Sequence, residues 1–582
     1  DVLVREGASW RARPTVEKIR VPEGINAVLA ARLDLLPEAE RGALQAASVV
    51  GERFRAGEVQ TLLGISNVEP DLDSLRRKGL VAGGDMAGEE YRFKHLLIRD
   101  ATYASLPKSG RARFHDQFRA VLETTYGDPE QITEIIAYHA ERSFALSNEL
   151  GLDQTVVVDR ARHAIRWLFA MAERLRTRYD EPTLHIVLGM LRSAVAAVPP
   201  GEDPSIQPRM KLLEAQLLLF RADYLPARQA AAEAAVLAEA ADMPRAVATA
   251  RLIVAWTHNW AQDGGISKFQ EAVDRAVAAS RRAGDLPLEI EARHLGSNIL
   301  WNAGDVVEFV RVNEELVRLA ESIGDNTHVA WITARLVGPE HQLGNNEKAH
   351  GYRDLADALA AKYGLRNVAM RVMFDRAWEA MDAGDLERAE RLYRETHRTA
   401  VEAGARQQEM MALRWLGLTL VWSGRPGKAI EVLDNALRLS LESGERWNRS
   451  EVLAMRARAA LDAGDMEGAD EFIASAVESV RPDDVSAVSE VNTALGLIRS
   501  TQHRDAEAEV AFRLGLEIVA DTGFFTLAAT AAVSLAVFLA GHGAALEAKA
   551  LGDKYRAMAH GRDMHFWDAQ FAEVDDLFAA NS

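Results

Sequence analysis

Glycine recurs in this chain with a period that few folds can accommodate. It stands at 264, 284, 304, 324, 344, 364, 384, 404, 424, 444 and 464, one every twenty residues. Between the glycines lie segments rich in Ala, Leu, Glu and Arg. Their apolar residues fall at helical spacing, as in Leu386, Ala389, Leu392 and Tyr393. Glycine closes helices because it adopts the left-handed conformation just past the last turn at little cost. The beat therefore predicts a helix of roughly four turns, a tight turn, and a second helix running back. Two beats make one helix hairpin, so the true repeat is forty residues long.

The two alternating glycine series differ, which fixes the pairing. One reads Ala303-Gly304-Asp305, Ala383-Gly384-Asp385, Ser423-Gly424-Arg425 and Ala463-Gly464-Asp465. Around it small residues recur seven before and five after: Ala377 and Ala389, Gly417 and Ala429, Ala457 and Ala469. With Tyr393, Leu416, Ala436 and Ala476, the pattern resembles the tetratricopeptide repeat, stretched beyond its usual length. The register continues, shifted by one, through Gly496, His503, Ala508 and Phe512, then Ala536, Gly543 and Ala548. Backwards it fades, with Ala222-Asp223-Tyr224 and Ala227 as its last clear member. The fold expected is mainly α, a winged-helix domain followed by a tetratricopeptide-like superhelix. Its hairpins should stack in a right-handed sense, each contacting only its neighbours.

Composition agrees. A chain of 582 residues is too long for one core, and a solenoid stacks many small ones. A net charge of −18 argues against a nucleic-acid partner held through its phosphates. The absence of cysteine excludes disulfides and thiolate chemistry. No secretory signal opens the chain, and Asp1 is not an initiator, so we read a cytoplasmic segment of a longer protein. The uncharged run Phe524–Gly541 falls on the repeat register and reads as a buried solenoid helix, not a membrane span.

Ahead of the repeats the pattern changes. Val2, Leu3 and Val4, with Gly7 and Trp10, suggest a short strand or helix end, followed by a charged connector. A helix from Pro22 through Ile25, Val28, Leu29 and Leu33 should stop at Pro37. Helices at 38–50, 57–63 and 68–78 precede a hairpin from Gly79 to Phe93 turning at Gly83-Gly84-Asp85. Three short helices and a hairpin make a winged helix. The runs Val21-Pro22-Glu23-Gly24-Ile25, Ala31-Arg32-Leu33-Asp34-Leu35-Leu36-Pro37 and Phe93-Lys94-His95-Leu96-Leu97-Ile98-Arg99-Asp100 resemble the helical arm behind the ATPase module of bacterial STAND signal-transduction ATPases. Such arms recur in cyclase-associated and LuxR-type regulators. The domains expected are a connector at 1–20, the winged helix at 21–108, a helical linker at 109–200 and the solenoid at 201–582. Pro199-Pro200-Gly201 is the clearest linker.

What the resemblance implies is limited by what the chain lacks. The nearest approach to a P-loop is Gly424-Arg425-Pro426-Gly427-Lys428-Ala429, whose spacing is wrong and which falls in a repeat turn. ATP, ADP and magnesium belong, on this reading, to a nucleotide-binding domain before Asp1, and this segment is neither an enzyme nor a cofactor carrier. In related switch ATPases a histidine after the wing touches the β-phosphate of ADP, and His95 stands at the matching position. The basic residues near the wing, such as Arg76, Arg77, Lys78, Arg92 and Lys94, are interleaved with acids and form no DNA-binding stripe. His560, Asp563 and His565 are the nearest thing to a metal set, and we read them as solvated.

The resemblance also implies where a partner binds. In tetratricopeptide hairpins the first helix lines the concave face at its second, fifth, ninth, twelfth and thirteenth positions. Counting back from the glycines places Trp331 at two, His294 and Arg414 at five, and Trp378 at nine. Trp301 and His341 fall at twelve, and Asn302, Gln342 and Trp422 at thirteen. Tryptophans interleaved with amides, histidines and arginine suit a recognition groove for a protein or small ligand. The plain alternative is that the rings fill gaps between helices. The function expected is the sensing half of a regulatory ATPase, relaying partner binding through the winged helix. A non-switching scaffold, or a transcription activator lacking its DNA-binding end, is the alternative.

Overall fold

The computed structural model describes residues 3–6, 9–12, 29, 31–83, 90–125, 132–178 and 180–581. The helix expected from Pro22 through Ile25 and Val28, the connector at 13–20 and the Gly84-Asp85 turn lie outside them. The chain divides into two compact units, residues 1–175 with 182–206, and residues 176–181 with 207–582.

In the first unit β1 (Leu3–Glu6) pairs antiparallel with β2 (Ser9–Ala12), Leu3 opposite Ala12. Next come α1 (Glu38–Val50), β3 (Arg53–Arg55), α2 (Ala56–Leu63), α3 (Glu69–Arg77), β4 (Val81–Gly83) and β5 (Glu90–Phe93). The strand at 53–55 was not foreseen. It pairs with β5, giving a three-stranded sheet in the order β3-β5-β4. Phe54, Tyr91 and Phe93 alternate inward, and the Phe54 and Tyr91 rings stack 5.8 Å apart. The unit continues through α4 (Leu96–Ser105), α5 (Lys108–Thr125) and α6 (Thr133–Glu149). Helices α7 (Gln154–Arg178) and α8 (Glu181–Ala197) follow.

The second unit is a tetratricopeptide-like superhelix of hairpins. Its first two pair α9 (Ile206–Phe220) with α10 (Tyr224–Ala240), and α11 (Pro244–Ala261) with α12 (Gly265–Ala283). In the third, α13 (Leu286–Gly296) and α14 (Asn298–Asn302) form one arm, broken at Ser297, against α15 (Val306–Ser322). Then come α16 (Asn326–Leu343) with α17 (Asn346–Tyr363), α18 (Arg366–Asp382) with α19 (Leu386–Ala403), and α20 (Arg406–Trp422) with α21 (Pro426–Ser443). The last are α22 (Arg449–Asp462) with α23 (Met466–Ser479), α24 (Val485–Thr501) with α25 (Asp505–Glu517), and α26 (Phe525–Gly541) with α27 (Ala545–His560). A single helix, α28 (Phe566–Asn581), ends the stack.

All eleven beat glycines have positive φ, from +63° to +142°. Gly264 differs from the rest, since it precedes α12 while Gln262 closes α11 in the left-handed region. At Gly304 the turn is complete in two residues. Gly304 N–H reaches Trp301 O (3.0 Å), Asp305 N–H reaches Leu300 O (2.9 Å), and the Asp305 carboxylate caps the next helix at Glu308 N–H (3.0 Å). Gly-Asp therefore stops one helix and starts another. The beat also extends further than glycine does, because Ala222, Asp242, Gln262, His503 and Asp563 hold the same left-handed turn. The small positions pack as expected, with Ala377, Ala389, Ala429, Ala457 and Ala469 fully buried.

Hairpins do not contact only their neighbours. The Tyr224 hydroxyl donates to Gln407 Oε1, 183 residues on, and Gln342 Nε2 donates to Thr526 Oγ1 (2.8 Å), 184 residues on. Successive turns of the superhelix thus touch along a seam. There the glycines gain a second reason: a Cβ on Gly304 would stand 2.6 Å from Thr522, and one on Gly344 would stand 2.8 Å from Arg562. Helix α26, the uncharged run, is largely buried in this stack, and no helix among the described residues is long and apolar enough to cross a membrane.

Candidate functional site

Winding the hairpins this tightly turns the concave face into a cavity of about 180 Å³ inside the second unit. The first arms of six consecutive hairpins wall it. Helix α9 gives Phe220, α11 gives Trp256 and Trp260, and α13 with α14 gives Glu291, His294 and Asn298. Helix α16 gives His328, Trp331 and Arg335, α18 gives Asn367, Arg371 and Phe374, and α20 gives Gln407 and Met411. Aromatic and charged side chains interleave on the wall: the Trp256 indole meets Glu291, and Arg371 lies over the Phe374 ring. Trp256 stacks on Trp260 at 5.9 Å, and Trp260 meets Trp447 edge-on at 5.5 Å.

The charges form a graded set. His328 Nδ1 lies 2.6 Å from Asp325, and its Nε2 lies 3.6 Å from Glu291, which also receives the Trp256 indole N–H at 3.3 Å. Burial disfavours the imidazolium, but these two carboxylates raise His328 to about 9, so it is charged at neutral pH. Burial likewise raises Glu291, yet the His328 pair brings it down to about 2. Arg371 forks onto Asp375 at 2.9 and 2.6 Å, and burial holds that carboxyl up at about 6 despite the fork. Gly338 lets this pair press against α16, where a Cβ would stand 3.2 Å from Asp375 Oδ1. His294 is the neutral member: burial, and then the charge of Arg335, lower it to about 3. Its Nδ1 bonds Asn313 Oδ1 at 2.5 Å.

Of the residues singled out from sequence, His294 and Trp331 line this cavity, their rings 6.4 Å apart. The others sit elsewhere. Trp301 packs on Phe309 and Phe524, with Phe524 at 4.7 Å, and Asn302 beside it is buried. His341 and Gln342 both bond Asp382, at 3.2 and 3.3 Å, on the seam. Trp378 is buried against Trp415 at 4.9 Å, and Trp422 stacks on Phe566 at 4.5 Å. Arg414 is buried between Glu451 (3.3 Å) and Glu490 (2.7 Å). His95 is exposed at the N-terminus of α4, with no side-chain cap bond, between the wing strand and the exposed Leu96 and Leu97. Gly424 is a left-handed hairpin turn.

The charged wall was missed, although part of its signal was present. Arg371 stands forty residues after Trp331, at the same second position, and Asn298 shares the ninth position with Trp378. Trp256 and Trp260 were missed because the turn that sets their register carries Gln262 in place of glycine. His560, His565 and Asp568 come together on the surface with ligand atoms within 4.8 Å, His560 and His565 exposed. Asp563 is not one of them, being turned towards Asn346 (3.4 Å).

These features define a tetratricopeptide-like superhelix closed around an aromatic and charged cavity. No family model and no curated protein matches the sequence. Among solved structures it is similar to PH0952 of Pyrococcus horikoshii, a STAND protein with a tetratricopeptide repeat sensor. That match has 14% identity, a TM-score of 0.37, and covers 81% of this chain and 65% of that one, so the chain spans about two-thirds of its length. It is also similar to a Rap protein complexed with competence and sporulation factor (12% identity, TM-score 0.39, 63% of this chain and 99% of that one). A third likeness is to the APC/C hetero-tetramer Cut9-Hcn1 (11% identity, TM-score 0.46, 81% and 94%). At such identities and scores the likenesses carry no functional weight.

Proposed function

We propose that this chain is the sensing half of a cytoplasmic signal-transduction ATPase, with the superhelix cavity as its ligand site. One observation carries the reading: a preformed cavity lined by three tryptophans and a set of half-buried charges, walled mainly by the first helices of six hairpins. Filling it with side chains would stabilise the stack, and an interior left open at a cost in packing suits a ligand. Support for the relay comes from the first unit. Its order of helix, strand, two helices and hairpin supports reading it as a winged helix. His95 and the exposed Leu96 and Leu97 present an edge that fits docking on a nucleotide-binding domain outside this chain. Ligand binding would then act as a population shift, favouring the state that releases ADP.

The test is made in the full-length protein. His95→Ala should lower ADP occupancy after purification and raise basal output. If occupancy and output both match the parent, His95 is an ordinary surface residue and the relay fails.

A further inference from the structure

Among the charges of the cavity, one is not matched. Glu291 and Asp325 share His328, and Arg371 holds Asp375. Arg176 also lines the wall and acts electrostatically on Glu291. Arg335 donates only to the neutral Asn298 Oδ1, at 3.0 Å, and forms no ion pair among the described residues. Burial, and then the neighbouring Arg371, push Arg335 down to about 9 against a weaker pull from Asp375, so it stays a cation at neutral pH in a place that disfavours its charge. A half-buried guanidinium with no ion pair of its own carries a desolvation cost, and an anion arriving in the cavity would offset it.

Two further wall atoms are buried without a partner, the amide donor Gln407 Nε2 and the acceptor Asn367 Oδ1. Much of the rest of the wall is aromatic or aliphatic, with Trp256, Trp331, Phe220 and Phe374 prominent. We propose that the cavity takes a small organic carboxylate with a flat apolar body, its carboxylate on Arg335 and its body among the tryptophans. A planar carboxylate suits the guanidinium fork, whose other donors have no protein partner among the described residues. The inference rests on the reading of the cavity as the sensing site and adds the chemistry of the ligand.

The experiment titrates the 582-residue chain by calorimetry with benzoate, indole-3-acetate and 1-naphthylacetate, each beside its uncharged amide. A tripeptide acid ending in Phe, with its amidated twin, distinguishes a peptide terminus from a free acid. At least one free acid should bind about tenfold or more tightly than its amide, the size of one charge-assisted hydrogen bond. Arg335→Gln should bring that ratio to about one while leaving amide binding and melting temperature no lower than the parent's. Arg335→Lys should keep part of the preference. Equal binding of acids and amides by the parent would overturn the inference and leave the cavity a ligand site. A preference that survives Arg335→Gln, or one confined to the tripeptide acid, would overturn it too. No binding by any member would count against both the inference and the ligand site.

Discussion

Gly464 and His503 hold the same turn in successive hairpins, with φ of +80° and +57°. Nothing approaches the position a Cβ would take at Gly464, so any cost of replacing it is backbone strain alone. Gly464→Val should therefore cost on the order of 1 kcal/mol or more, because a β-branched residue resists positive φ. His503 already bears that strain with an exposed side chain, and His503→Gly should stabilise by about 0.5–1 kcal/mol. Urea unfolding of both variants checks the pair, and matched shifts of the same sign would contradict the turn. Such turns are legible in sequence where glycine marks them, and at Ala222 through the flanking helix pattern, but not at Asp242 and Gln262, where the fold imposes the conformation on other residues. Ahead of Gly304 the register led to His294, which lines the cavity, and to Trp301 and Asn302, which do not.

At the scale of elements, the hairpin was readable and its distant contacts were not. Small residues seven before and five after a glycine report the local pairing of two helices, as with Ala377 and Ala389. Nothing local reports that Thr526 meets Gln342 and Asp382, since that depends on rotation accumulated over several hairpins. Thr526 Oγ1 receives Gln342 Nε2 at 2.8 Å and donates to Asp382 at 3.0 Å, all three buried. Tryptophan and amide positions that look like a groove in a single hairpin become this seam when the next turn covers them. Thr526→Val keeps the shape and removes both bonds, leaving a buried carboxylate short of a donor. It should destabilise by about 1–3 kcal/mol, as read by thermal or urea unfolding. A change indistinguishable from zero would mean that the seam contributes nothing to holding the turns together.

For the whole molecule, the winding that makes the seam also makes the cavity, and both follow from the forty-residue repeat. The sequence-level reading that the concave face recognises something led to His294 and Trp331, whereas the unpaired Arg335 needed the superhelix to be wound before its isolation was visible. The central claim is that this interior is a ligand site. The most direct measurement is the unfolding free energy of the 582-residue chain with and without 1-naphthylacetate and 1-naphthylacetamide. It is made on the parent, Trp331→Ala and Trp378→Ala, since a ligand stabilises only a fold that binds it. The account predicts that at least one probe stabilises the parent, that Trp331→Ala folds with a modest loss and no longer responds, and that Trp378→Ala loses about 3–5 kcal/mol yet still responds. A Trp331→Ala variant that responds like the parent, or that loses as much stability as Trp378→Ala, would contradict it.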